Sequence, residues 1–364
     1  MRAPKRDNKN GSNSAHGRRG NMDLIFLCVV VLTFIKVKID FTGGYLNASL
    51  KREQATAVNG VFVMLVFLRH FKEYIVCESY DRLFWVVDGL LEQLIVTTFL
   101  CYFGYGILLS MKTKKDYLQK FPKRIFKVWL QFAIAVSLFL FLNLFTGKVY
   151  SRSTILLSFT AWQSVGNSNW YILAILVLYV LSYIGGLMTS QDRLTTTIFV
   201  TAGCCVYVVV LILCGKGSWY YNTIFCYPLG MLCGEYEQKI RTLLEEKGTY
   251  LISVVGCATA FVVSYLCALK SHGVIWLAAV EFRGIFFVLL VVLATSRIKI
   301  ENSVLNWLGK HTFEIYILQR LPMIALSGIG MNKYVYFLIC VVITGVAAFL
   351  YQKLMGALLL KCHL

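Results

Sequence analysis

Apolar runs close to the length of a bilayer crossing recur along nearly the whole of this 364-residue chain, and this limits the possible folds more than any single motif. A helix needs about 20 apolar residues to cross the hydrocarbon core. Only 15% of the residues are charged, against about 25% in an ordinary soluble domain. No soluble domain fits between the runs. The expected class is an all-α, polytopic transmembrane helix bundle of about 10–11 membrane helices around a polar central cavity. The runs lie near 23–39, 56–76, 84–111, 126–146, 170–189, 195–214, 219–235, 249–269, 274–295, 312–330 and 334–360. The stretch "ILLSFTAW" (155–162) is too short to span and reads as an interfacial or re-entrant piece.

The opening stretch, "MRAPKRDNKNGSNSAHGRRGNM" (1–22), is polar and basic. It has nothing to bury and is expected to be disordered. Its basic region is too long and no small-residue cleavage site follows the next apolar run, so it is not a clean signal peptide; a start at Met22 would remove the tail. The expected organisation is this tail, an extra membrane helix with a loop over 23–54, and a main membrane domain over 55–360.

Orientation follows from loop charge. Lys112, Lys114, Lys115, Lys120, Lys123, Arg124 and Lys127 crowd one connection, and such clusters stay in the cytoplasm. Counting from it, the Lys51–Arg52, Glu237–Lys247 and Arg297–Lys299 loops are also inside, while the basic tail falls outside. The net charge of +18 is thus a topology signal, and no nucleic-acid partner is expected. The 12 cysteines form no C-x-x-C pair. Most lie in apolar runs as small hydrophobes, and no metal site is expected.

Charged residues at membrane depth are costly and face a protein interior or a cavity. Here they are Asp88, Glu92, Glu281, Arg283, Glu314 and Arg320. They either pair with one another or line a polar cavity. His70 ends the second run in "LVFLRHF" (65–71), toward its outer end, with Lys72 and Glu73 close behind. It is either an interfacial histidine or a proton acceptor, since an unperturbed imidazole titrates near neutral pH. Its neighbour Arg69 points about 100° away on a helix and is expected to run its stem toward the interface.

"NGVFVMLVFLRHF" (59–71) resembles the signature helix of the acyltransferase-3 family of integral-membrane acyltransferases. Four more stretches resemble that family in order: "TTFLCYFGYGILLSMKTKKDYLQKFPKRIFKVWLQF" (97–132), "GNSNWYILAILVLYVL" (166–181), "CYPLGMLCGEY" (226–236) and "WLGKHTFEIYILQRLPM" (307–323). The chain departs from the family pattern in four places. Asn59 stands where a basic residue usually precedes the histidine, and Phe103 where a small serine precedes Gly104-Tyr105. Gln319 and Arg320 stand where many relatives have a histidine, and the Arg-x-x-Arg pair is Arg124 and Lys127.

The resemblance implies transfer of an acyl group, often acetyl from acetyl-CoA, to a hydroxyl of an extracytoplasmic carbohydrate or lipid-linked glycan. It implies a multi-pass protein of a bacterial surface-polysaccharide type in the cytoplasmic membrane, with acyl-CoA as a substrate and no permanently bound cofactor. His70 would be the catalytic base. Arg124, Lys127 and Lys123 would hold the donor phosphates. Asn59, Tyr105, Trp170, Glu281, Arg283, Glu314, Gln319 and Arg320 would line the substrate cavity. A glycan transporter or flippase, and an inactive relative, remain as the competing classes.

Overall fold

The computed structural model describes residues 20–40, 52–76, 78, 81–114 and 116–361. The disorder expected of 1–22 falls mostly outside these residues, as do Lys51 and Lys115. The described chain is almost wholly helical. Its first half comprises α1 (Met22–Phe34), α2 (Arg52–Phe71), α3 (Arg82–Leu91), α4 (Leu94–Thr113), α5 (Phe121–Thr146), α6 (Arg152–Ser158), α7 (Trp170–Met188) and α8 (Arg193–Leu213). Its second half comprises α9 (Cys226–Glu235), α10 (Glu237–Glu245), α11 (Lys247–Lys270), α12 (Gly273–Thr295), α13 (Ser303–Lys310), α14 (Thr312–Leu318), α15 (Arg320–Leu326) and α16 (Lys333–Lys361).

Eight of the eleven expected runs are helices long and apolar enough to cross a membrane: α2, α4, α5, α7, α8, α11, α12 and α16. The chain is a multi-pass membrane protein. The other three runs are built from shorter pieces. α1 has 13 residues, about 20 Å of helix. The run at 219–235 is helical only from Cys226, because the chain before it turns irregularly around buried Asn222 and Thr223. The run at 312–330 divides at Gln319, whose polar side chain is fully buried. The run at 84–111 is also not one helix. It breaks at Glu92, which takes a positive φ of 40° and pairs its carboxylate with Arg283 on α12 at 2.9 Å. The "ILLSFTAW" stretch (155–162) does not span: its first four residues end the short α6 and the rest is turn.

Lipid tails are as apolar as leucine, so helices in a bilayer associate through close packing and small residues. Two glycine-lined crossings do this here. A Cβ on Gly104 of α4 would stand 2.0 Å from the Tyr227 carbonyl oxygen on α9, and a Cβ on Gly230 of α9 would stand 1.9 Å from the Cys101 carbonyl oxygen on α4. Between α2 and α13, Gly60 meets the Leu305 carbonyl and Gly309 meets the Thr56 carbonyl in the same reciprocal way.

α1 belongs to the bundle rather than lying apart from it. Its Met22, Phe26 and Val29 share an apolar cluster with Phe67 and Phe71 of α2 and Tyr336 of α16. The Asp81 carboxylate accepts the Met22 N–H at 2.7 Å and pairs with Lys333 of α16 at 3.4 Å, both side chains almost wholly buried. Asp23 accepts the N–H groups of Leu83 and Phe84, capping the start of α3. At the other end of α1, β1 (Val37–Ile39) pairs antiparallel with β2 (Ile298–Ile300), Lys38 opposite Lys299. Glu301 bridges these like charges; hydrogen bonds from Lys299 and Lys38 hold its carboxyl down at about 2.

Candidate active site

His70 lies in the last turn of α2 with 13% of its side chain exposed. The chain then tightens into a 3-10 turn, Lys72–Tyr74, in which side chains three apart eclipse. That turn carries Glu73 back beside the imidazole, Oε1 3.4 Å from Nδ1. Arg320, opening α15, donates to the other Glu73 oxygen at 2.7 Å and to the Tyr74 hydroxyl at 2.9 Å, with a nitrogen 3.4 Å from His70 Nδ1.

The second imidazole nitrogen, Nε2, is 3.2 Å from the Ser168 hydroxyl. Ser168 comes from the loop between α6 and α7, which is held tightly. Asn167 Oδ1 accepts the Val165 N–H, and the Ser164 hydroxyl donates to the Asn167 carbonyl. Asn169 donates to the Ala161 carbonyl and to the Tyr220 hydroxyl, each at 2.8 Å. Gly166 turns this loop at a φ of 107°, which L side chains rarely adopt. Ser168 and His70 are therefore positioned by backbone-anchored structure on both sides.

Arg69 turns the other way, toward Asp88 on α3, rather than simply reaching to the interface. It pairs with the Asp88 carboxylate at 3.1 Å, and Lys72 pairs with the same carboxylate. Asp88 is buried in an apolar setting, where a charge needs a partner, and two neighbouring cations supply it. The paired-charge reading of Asp88 and Glu92 thus describes their geometry, and neither meets His70.

A cavity of about 630 Å³ lies between α2, α4, α7 and the α13–α14 corner. Arg52, Lys114 and Lys310 stand at one end of it, on the ends of α2, α4 and α13, and all three are exposed. Inward it passes Asn59, Tyr102 and Phe103 to reach Tyr171 and Tyr316. The rings of Tyr171 and Tyr316 meet edge-on at 5.3 Å, and Tyr316 meets His70 edge-on at 6.4 Å. Tyr316 is therefore a wall of the cavity on one side and a neighbour of His70 on the other.

Three buried polar atoms on this wall have no hydrogen-bond partner: Asn59 Oδ1 and the hydroxyls of Tyr102 and Tyr316. Thr295 and Ser168 stand near the two hydroxyls without closing a bond of good geometry. Unpaired buried polar groups cost roughly 1–3 kcal/mol each. All three are enclosed in the wall itself, while other atoms of the same residues line the cavity. A larger cleft of about 770 Å³ between α1, α2 and α16 has almost wholly apolar walls and lies away from the polar cluster. None of His70, Glu73, Ser168 and Arg320 lines it.

The other expected site residues are distributed as follows. Asn59 and Tyr105 line the 630 Å³ cavity. Trp170, Glu281, Arg283, Glu314, Gln319 and Arg320 are not among its lining residues. Arg320 joins the His70 cluster instead, and Arg283 is held by Glu92. Gln319 is buried and donates to the Tyr316 backbone carbonyl at 3.4 Å. Glu281 and Glu314 are buried within α12 and α14. Trp170 packs on Tyr171. Lys123, Arg124 and Lys127 lie on α5 outside the cavity lining. Arg124 sits over the Tyr117 ring at 4.4 Å and donates to its hydroxyl. Among the described residues no cluster of three or more His, Cys, Asp or Glu could hold a metal ion.

A family model described as an acyltransferase domain, Acyl_transf_3, matches residues 57–352. The chain belongs to the acyltransferase-3 family. No curated protein and no solved structure matches it. The matched region begins within α2, so α1 lies outside it although it shares the bundle's packing. Several groups around this acyltransferase's His70 and cavity are not singled out by the sequence alone. Glu73 is within reach of inspection, three residues after the histidine. Ser168 is 98 residues away, and Tyr316, Tyr102, Arg52 and Lys310 join the cavity only through the crossing of distant helices.

Proposed function

We propose that this membrane acyltransferase takes its acyl group from acyl-CoA, most simply acetyl-CoA, and delivers it to a hydroxyl of a carbohydrate or lipid-linked glycan on the other side of a bacterial cytoplasmic membrane. The observation that carries this reading is the cavity with cations at one end and Tyr316, in contact with His70, at the other. The donor phosphates would rest among Arg52, Lys114 and Lys310, where charge-assisted contacts favour them. The pantetheine arm would run inward past Asn59, Tyr102 and Tyr316, which line the passage. Asn59 and His70 are eleven residues apart on one helix, about 16 Å, so α2 would link the donor passage to the reacting centre. There His70 would take the proton of the attacking hydroxyl.

Two measurements test this. Replacing Arg52, Lys114 and Lys310 together by Gln is expected to raise the KM for acetyl-CoA roughly tenfold, about 1.4 kcal/mol, with little change in kcat. A phosphate contact made equally in ground and transition states acts in this way. Arg124→Ala is expected to change it less, because Arg124 already rests on Tyr117. The reverse result would move the donor entrance to the basic loop at Lys123, Arg124 and Lys127. For orientation, a cysteine at position 112 in a cysteine-free background is expected to resist an impermeant thiol reagent in intact cells, and one at position 148 to react. Labelling at 112 would invert the topology and remove cytoplasmic acyl-CoA as donor.

A further inference from the structure

We infer that the acyl group rests on Ser168 on its way from donor to acceptor, so that transfer proceeds in two half-reactions. This deepens the reading just given and rests on it. Ser168, His70 and Glu73 form a nucleophile–base–orienter chain: hydroxyl to Nε2 at 3.2 Å, and Nδ1 to carboxylate at 3.4 Å. Of the two groups facing Nδ1, only the Glu73 carboxylate can accept a proton; the Arg320 guanidinium can only donate. Pairing with Glu73 puts the ring proton on Nδ1 and leaves Nε2 free to accept from Ser168. This is the division of labour that activates a serine, recognised by geometry rather than by sequence order. Arg320 fixes the carboxylate from behind through its other oxygen.

Position supports the same assignment. Ser168 is buried, with 5% of its surface exposed, in the anchored loop that leads into α7. It neighbours the unpartnered Tyr316 hydroxyl on the cavity wall. Ser168 and His70 do not line the cavity; Tyr316 stands between it and them, and the thioester would pass this ring to reach Ser168. Asn169 makes no side-chain cap on α7, and the Tyr171 N–H of its first turn faces the Tyr316 hydroxyl beside Ser168.

In the first half-reaction the Ser168 oxygen attacks the thioester carbon as its proton passes to His70 Nε2. The carbon–sulfur bond breaks and the departing thiolate takes the proton, leaving an ester on Ser168. In the second, the acceptor hydroxyl gives its proton to Nε2 and attacks that ester, and the Ser168 oxygen leaves with the proton. No further reactant is needed.

The test is exchange of isotopically labelled CoA into acetyl-CoA by the purified full chain in proteoliposomes with no acceptor present. Two half-reactions require such exchange, whereas direct transfer forbids it. The wild type is expected to exchange, and a digest quenched in acid is expected to carry one acetyl group on the Ser168 peptide. Ser168→Ala is expected to lose exchange by roughly three orders of magnitude or more while still binding acetyl-CoA. Ser168→Cys is expected to keep a nucleophile and to accumulate a thioester detectable by mass. Acetyl-CoA binding without exchange, or exchange undiminished in Ser168→Ala, would overturn the acyl-serine and leave the donor reading standing. Absence of any acetyl-CoA binding by the wild type would overturn both.

Discussion

His70→Ala lowers acyl transfer by roughly two to four orders of magnitude, the usual loss when a positioned base is removed, and leaves the protein folded. The fold tolerates it because His70 is a junction of polar contacts and not a packing element. Glu73 retains Arg320, and Arg320 retains Tyr74, without the imidazole. Ser168 keeps its loop, whose anchors are Asn167 and Asn169. The check is turnover of acetyl-CoA with a glycan acceptor, measured beside thermal unfolding of the same preparation. Near-normal turnover in His70→Ala would end its assignment as base and bring the transporter reading forward. Arg69→Lys is the companion variant. It keeps a cation beside Asp88, which also holds Lys72, so it should alter turnover little even though it adjoins the histidine.

Gly230→Val removes the folded protein. A Cβ at this position falls 1.9 Å from the Cys101 carbonyl oxygen, and the obstacle is helix backbone that cannot rotate aside. The clash is reciprocal, because a Cβ at Gly104 falls 2.0 Å from the Tyr227 carbonyl oxygen. Overpacking even by one methyl typically costs about 1–3 kcal/mol, and prising apart α4 and α9 also disturbs Phe103 and Tyr227, which meet at 5.0 Å. Gly104→Val should fail in the same way. Gly256→Ala should not, since nothing lies within 4 Å of a Cβ there. Detergent-solubilised fusions run on size-exclusion chromatography separate these outcomes. A monodisperse Gly230→Val protein would show that this crossing is not a required contact.

Periodicity and length were enough for the eight long helices, because a bilayer span is a local property: about 20 apolar residues suffice whatever lies elsewhere in the chain. The runs at 84–111, 219–235 and 312–330, none of which is one continuous helix, show where local reading stops. At Glu92, Gln319 and Asn222 a polar side chain meets a partner or a buried site supplied by distant chain, and the helix breaks or begins there. The family resemblance put the donor phosphates on Lys123, Arg124 and Lys127. These lie on α5 outside the cavity lining, and Arg52, Lys114 and Lys310 line its end, where the ends of three helices meet; the kinetics of the two sets of variants decide between them.

The signature around His70 was legible in a single helix, and so was Glu73, one eclipsed turn away. How the rest of the cluster joins it was not. Ser168 is 98 residues from His70 and Arg320 is 250. Arg320 was marked as a charge at membrane depth and as a candidate cavity residue, but not as a partner of Glu73, and Ser168 passed unnoticed among the small polar residues that open the 166–181 stretch. By itself the sequence determined a helical membrane protein with a candidate histidine at the end of one span. Only tertiary structure decided what that histidine touches, because hydrogen bonds act over about 3 Å and the packing of remote helices alone brings their partners so close.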